Sequence, residues 1–453
     1  MSKSVSERLV AFVRAQQKDG VPDKVLHEAK RLLLNQLKAS VAAGDHRAIR
    51  IIHDWAIANG PGAGAHALWI GTEMSQAHAC MINGALFEVL DFHDTYIPCF
   101  MHATSAVLPA VLASAEVGGH TGREVLVALA LGMEVELAIA AILMPTGYFR
   151  GHVPAGLTGG VGAAAACAIL NGLDDDQMQN AMGIAMCTAF GDYVSVGSDT
   201  LSYITGATAR SGLTAFELAA RGFDAPRTAF EGDKGMLLTH SDEKPEKIES
   251  VLTSLGKDWR IFGQTYKVVP TETITHAPVE LALQLFPKAQ GRAVKGMTLG
   301  VAEIVVKICT ERMERFGVPN SDLTARFDTC FCTAAAWLRG KFTLAEMAEP
   351  AYTDPAILNL RTRIKLVADT ARKTFEGAWL EIEFTDGSKE RANTDAFLGT
   401  PGNPQSDAQL AAVFQSAAAG VLSPGRAAHV LDAVWSLDRA KDIRGLISLC
   451  KAG

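Results

Sequence analysis

VLVALALGMEVELAIAAILM, residues 125–144, is the most apolar stretch of the chain, and its reading sets the fold. Its length would let it cross a bilayer as a helix. Two carboxylates, Glu134 and Glu136, sit in its middle. A charged side chain near the centre of a lipid-facing helix is expensive. The stretch therefore reads as a core helix of a globular protein, with apolar residues on all faces because all faces are buried.

Outward from it the helical pattern continues. Apolar residues recur at three- and four-residue spacing in 6–16, 26–43 and 49–58. Further helices are predicted over 76–89, 105–115, 122–143, 159–170, 175–188, 207–221 and 226–230. Near Gln264 the pattern changes. Residues 297–308, MTLGVAEIVVKI, are rich in β-branched side chains and predict a strand, as do 363–368. Residues 378–392 alternate around Asp386-Gly387, a hairpin signal. Short helices are expected at 277–285, 334–339 and 355–360, and helical character returns at 407–419, 424–437 and 442–450. The expected architecture is mainly α with a smaller α+β domain. Both chain ends, 1–265 and 395–453, form a large helical domain, and 266–394 form an inserted α+β lid.

Composition narrows the function classes. The chain has 453 residues, enough for two domains, and is 48% hydrophobic and 20% charged, an ordinary globular balance. Its net charge is −7 and no basic run stands out, so nucleic-acid binding is not expected. An anionic substrate would need locally placed cations. None of the eight cysteines forms a CxxC pair, which fits free thiols in a reducing compartment. Cys330 and Cys332 form half of a metal motif with no second half, so no metal site is assigned. Residues 1–17 read as an amphipathic helix without the apolar core or cleavage site of a signal peptide. A cytoplasmic protein without a membrane span is expected.

Chemistry concentrates in three places. Leu90-Asp91-Phe92-His93-Asp94-Thr95 breaks the pattern after a long helix, and Met101-His102-Ala103-Thr104-Ser105 opens the next, with Thr104 or Ser105 as its N-cap. Such a loop can gather Asp91, Asp94 and His102. The plain alternative is that both aspartates cap helix ends and His102 is a surface residue. The second place is Arg150-Gly151-His152, followed by small residues from Gly159. Gly160-Val161-Gly162 has no preceding strand, so a dinucleotide site is rejected. The third runs from Tyr266-Lys267 to His276, at the start of a helix. No GxSxG, HExxH or P-loop signature occurs.

These segments in this order resemble the MmgE/PrpD family, which includes 2-methylcitrate dehydratase, cis-aconitate decarboxylase and iminodisuccinate epimerase. The resemblance rests on Asn83-Gly84-Ala85, the 90–95 segment, His102, Leu108-Pro109-Ala110, Arg150-Gly151-His152, Gly162 to Ala165, 170–173, 181–185, 219–223 and Lys267 to His276. It implies a helical domain with an α+β lid, a homodimer, and no metal or organic cofactor. It implies proton transfer next to a carboxylate of a small-molecule substrate, by a lyase of the dehydratase or decarboxylase type or by an isomerase or epimerase. By resemblance Asp91, His102, His152 and His276 occupy the active-site positions. Arg150, Lys267, Leu201, Tyr203, Ile204 and Phe331 would line the substrate site, and Arg210 is a further source of charge. The chain departs from the family pattern where a lysine reads Leu201, a histidine Ile204 and a tyrosine Phe331. The lost cation favours a substrate with fewer carboxylates than a tricarboxylate. It also leaves open a relative that binds a small molecule without turning it over.

Overall fold

The computed structural model describes residues 3–60, 62–289 and 291–451. The chain forms two compact units, one of residues 1–264 and 406–453, the other of 265–405.

The first unit is helical, apart from a pairing of Ala65–His66 with Glu73–Met74. At its heart lies the helix Pro154–Leu170, every residue of which is buried. It packs on the helices Ala103–Gly118, Gly122–Leu143 and Thr200–Ala220. Small residues make this possible. A Cβ at Gly159 would stand 2.5 Å from the Ala106 methyl, and one at Gly162 would stand 2.6 Å from Glu136 Cβ. Gly122–Leu143 is long and apolar enough to cross a bilayer, but 89% of its most apolar window is buried inside the unit. Glu134 and Glu136 point into protein. Burial pushes the Glu134 carboxyl up to about 7, against a hydrogen bond from the Ile261 N–H and the nearby Arg260 guanidinium. The helices Gln76–Glu88 and Thr200–Ala220 cross at glycine, since a Cβ at Gly206 would lie 2.1 Å from the Met81 carbonyl oxygen. That contact sets the depth at which the end of one helix meets the middle of the other.

The second unit is α+β. Its sheet runs in the order 364–368, 294–301, 378–384, 389–394, with the first pair parallel and the rest antiparallel. Ala378, Leu380, Ile382 and Phe384 alternate inward. The helix His276–Leu285 packs on this sheet and on the helix Thr329–Arg339. The Asp386-Gly387 turn is present, with Gly387 at φ +84°.

Three local expectations are corrected. The strand expected over 297–308 ends at Val301, and Glu303–Phe316 is a helix. Its buried positions Val305, Ile308, Cys309 and Arg312 follow helical spacing, which overrides their β-branched neighbours. Residues 226–230 form turns, with the Ala229 and Phe230 carbonyls accepting from Met236 and Leu237 instead of from a helix of their own. The Ala103–Gly118 helix starts one residue before Thr104, so its N-cap is His102, without a side-chain cap bond, and the Thr104 hydroxyl donates to Asp94.

Gly206→Ala is expected to destabilise the chain by about 1–3 kcal/mol through overpacking against backbone. Gly425→Ala, with nothing within 4 Å of its added methyl, should not destabilise it. Urea unfolding midpoints of the two variants test the contrast.

Candidate active site

The site begins where the Gln76–Glu88 helix stops. The Asp91 N–H closes a turn on the Glu88 carbonyl at 2.8 Å, and Asp91 itself adopts the left-handed conformation at φ +48°. Such a conformation in a residue other than glycine persists only where its surroundings hold it. The turn folds residues 89–95 inward, and all of them are buried.

Asp94 anchors the loop. Its carboxylate accepts from Asn35 Nδ2 at 3.2 Å, Gln36 Nε2 at 2.8 Å and the Thr104 hydroxyl at 2.8 Å. Burial raises its pKa, and the donors from Thr104, Gln36 and Asn35 oppose the rise. Its backbone carbonyl lies 2.9 Å from His102 Nδ1, and the Thr95 hydroxyl lies 3.3 Å from the same nitrogen. A carbonyl only accepts, so this contact places the proton on Nδ1 and leaves the lone pair of the neutral ring on Nε2.

His93, completely buried, stands at the centre. Its Nε2 lies 3.7 Å from Glu88 Oε2 and 3.8 Å from Asp91 Oδ1, and its ring meets His102 edge to face at 4.1 Å between centroids. The Thr205 hydroxyl, from the crossing helix, donates to Glu88 Oε2 at 3.2 Å. Lys38 is also fully buried, with Nζ 3.8 Å above the centroid of the Phe92 ring. Glu136 is buried below. Among the described residues neither of its oxygens meets a donor in hydrogen-bond geometry, and the nearby Thr158 hydroxyl donates to the Pro154 carbonyl at 3.2 Å. Burial and the Asp94 carboxylate raise the Glu136 pKa well above the usual range.

The loop at 148–152 builds a second group. The Tyr148 ring packs on Phe100 at 4.8 Å, and its hydroxyl bonds that of Tyr193 at 2.9 Å. His152 bridges to Asp192 through backbone and faces the His240 ring at 5.0 Å. Desolvation lowers the His152 pKa, His240 and Arg150 lower it further, and Asp192 opposes them.

With this geometry in place, comparison with known proteins assigns the family. Residues 7–249 match the MmgE/PrpD N-terminal domain and residues 269–439 the MmgE/PrpD C-terminal domain. The chain belongs to the MmgE/PrpD family. Similar proteins include a cis-aconitate decarboxylase of Aspergillus terreus, 25% identical over 460 residues, covering 95% of this chain and 92% of the relative. A Homo sapiens cis-aconitate decarboxylase is 23% identical over 467 residues, covering 100% of this chain and 95% of the relative. A cis-aconitate decarboxylase-like protein, oryM, of Aspergillus oryzae is 24% identical over 483 residues, covering 98% of this chain and 97% of the relative.

Of the residues singled out from sequence, Asp91 and His102 gather around His93. His152 stands with His240 in the same unit, and Arg150 is paired with Asp242 at 2.6 Å. On the 200–220 helix Ile204 is buried, Leu201 is partly buried and Tyr203 is 43% exposed. Arg210 approaches the Met81 sulfur at 3.7 Å. In the second unit His276 is buried, with Nδ1 3.0 Å from the Glu272 carbonyl and its ring 5.0 Å from Phe397. Lys267 and Phe331 are buried in the same unit. Sequence reading did not single out Glu88, Lys38 or Thr205, noted Glu136 only as a sign of a buried core helix, and quoted His93 only as part of a segment. A charged residue inside an otherwise apolar helix was the available signal for Lys38 and Glu88, as it was for Glu136.

Asp94→Ala should cost about 1–3 kcal/mol for each buried donor it strands, read as a lowered urea midpoint. His152 should titrate below the ordinary imidazole value. His240→Gln is expected to raise that midpoint and Asp192→Asn to lower it, both read from histidine ring NMR. A His152 midpoint that His240→Gln leaves unmoved would contradict the assigned coupling.

Proposed function

We propose that this chain is a lyase of the decarboxylase or dehydratase type that acts on a small carboxylic acid through histidine-mediated proton transfer. The observation that carries the reading is the buried group of Asp91, His93 and His102, with His102 Nδ1 held by the Asp94 carbonyl. That leaves Nε2 to exchange a proton with substrate, and an imidazole can both accept and return one. In a decarboxylation, the electrons of the breaking C–C bond stay on carbon as an enolate while carbon dioxide leaves, and the imidazolium N–H then returns a proton to that carbon. In a dehydration, neutral Nε2 takes the proton next to the carboxylate, and the hydroxyl leaves as water after protonation by a second acid. The named activity of the relatives supports the lyase class.

Asp91 would bias the proton affinity of the imidazole pair. His152, His276, Arg150 and Lys267 are proposed as further functional residues on the strength of the family resemblance. Leu201 and Ile204 stand where the family carries cations, which favours a substrate with fewer carboxylates than cis-aconitate. An unpaired carboxylate against such a wall would be costly. A homodimer and a cytoplasmic location belong to the same proposal.

The test is proton NMR in deuterium oxide with a panel of di- and tricarboxylic acids and their unsaturated analogues. Loss of carbon dioxide or formation of an alkene supports the lyase. Solvent deuterium entering substrate without either change replaces it with an isomerase or epimerase, and silence across the panel favours a binding protein. Under the lyase reading His102→Gln and His152→Ala should each lose turnover by at least about 100-fold while keeping the wild-type circular dichroism spectrum. Retained activity in a folded variant removes that residue from the mechanism.

A further inference from the structure

Glu88, His93 and His102 each offer a ligating atom, and these atoms all lie within 4.8 Å of one another. We propose that the three form a binding site for a divalent transition-metal ion of the zinc class.

The donor set comes first. Two imidazoles and one carboxylate make a combination that holds zinc and its neighbours, and is softer than the all-oxygen shells of magnesium or calcium. Spacing comes second. His93 Nε2 is 3.7 Å from Glu88 Oε2, beyond hydrogen-bond distance. Zinc bonds of about 2.0–2.2 Å put two ligands of one tetrahedral ion about 3.4 Å apart, so the Glu88–His93 pair is close to the required spacing and the set, within 4.8 Å overall, must contract on the ion. Asp91 Oδ1, 3.8 Å from the same nitrogen, stands ready as a fourth ligand or an outer partner. Charge comes third. Glu88 and Asp91 place two buried carboxyl groups beside His93 Nε2, the number a divalent ion needs for neutrality.

The outer shell is already in place. His102 is held by its Nδ1 contact to the Asp94 carbonyl, the kind of outer-shell contact that orients a metal-bound histidine and leaves Nε2 as its ligating nitrogen. The Thr205 hydroxyl holds the Glu88 carboxylate from the crossing helix. His102 remains partly exposed, which gives an ion a way in.

Occupancy would commit the His102 lone pair to the metal, so the ion acts as an inhibitor of proton transfer at the same site. That consequence rests on the proposed lyase reading, whereas binding itself does not.

The experiment titrates the full chain, stripped with a chelator, with Co2+ alone and Zn2+ alone. The expected result is a visible cobalt absorption band saturating at a single equivalent per chain and bleached by Zn2+. His93→Gln and Glu88→Gln should weaken Zn2+ binding by more than about 10-fold, while His27→Gln on the surface should bind as wild type. Zn2+ should also shift the ring nitrogen resonances of His93 and His102 in the wild-type chain. Absence of a saturable cobalt band, or unshifted resonances from those two rings, overturns the site without any variant having to fold. Wild-type affinity in a folded His93→Gln overturns it as well. Binding without inhibition keeps the site and overturns only its effect on turnover.

Discussion

A carboxylate sealed away from water at Asp94 organises this molecule. Burying such a group costs several kcal/mol unless hydrogen bonds replace its hydration. Asn35 and Gln36 from the 23–41 helix and Thr104 from the 103–118 helix provide them. The requirement to satisfy one side chain thus pins two helices to the loop between them. The backbone carbonyl of the same residue then sets the orientation of His102. Structure and chemistry meet in one residue: the side chain holds the loop down, and the main chain orients the imidazole.

Close packing makes the arrangement possible. The 154–170 helix is small-residue rich because its neighbours approach nearer than a Cβ allows at Gly159 and Gly162. The Gly84–Gly206 crossing does the same for the helix that carries Glu88 and the one that carries Thr205. A rigid, densely packed body of this kind resists relaxation. It can hold His93 and two carboxylates at spacings that a looser fold would let drift apart. Burial in the same dense core, with the Asp94 carboxylate nearby, raises the Glu136 pKa, and Thr158 opposes the rise.

On the proposed reading, Leu201 and Ile204 would change what this scaffold recognises. Family membership rests on domain matches over residues 7–249 and 269–439, whereas substrate choice would rest on a few side chains. Aliphatic groups in place of cations would alter the charge a substrate can bring. Lys38 is buried against the ring of Phe92, which lies in the same loop as Asp91 and His93.

By itself, the sequence determined the helical body, the α+β insert, the core nature of residues 122–143, and the 90–102 segment as a place where titratable side chains gather. These are legible because hydrophobic periodicity and turn residues act locally. Each residue reports its own environment through neighbours three or four positions away. The sequence misread residues 303–308, where β-branched composition in a short window hid a helical period that becomes clear only over the full 303–316 helix. Tertiary structure alone decided that His93, rather than either flanking aspartate, sits at the centre, and that Glu88 and Thr205 meet beside it. It also showed that His152 stands with His240. Those contacts depend on how deeply two helices cross and which way a buried turn folds. Both are set by contacts between residues far apart in the chain, which no local pattern encodes.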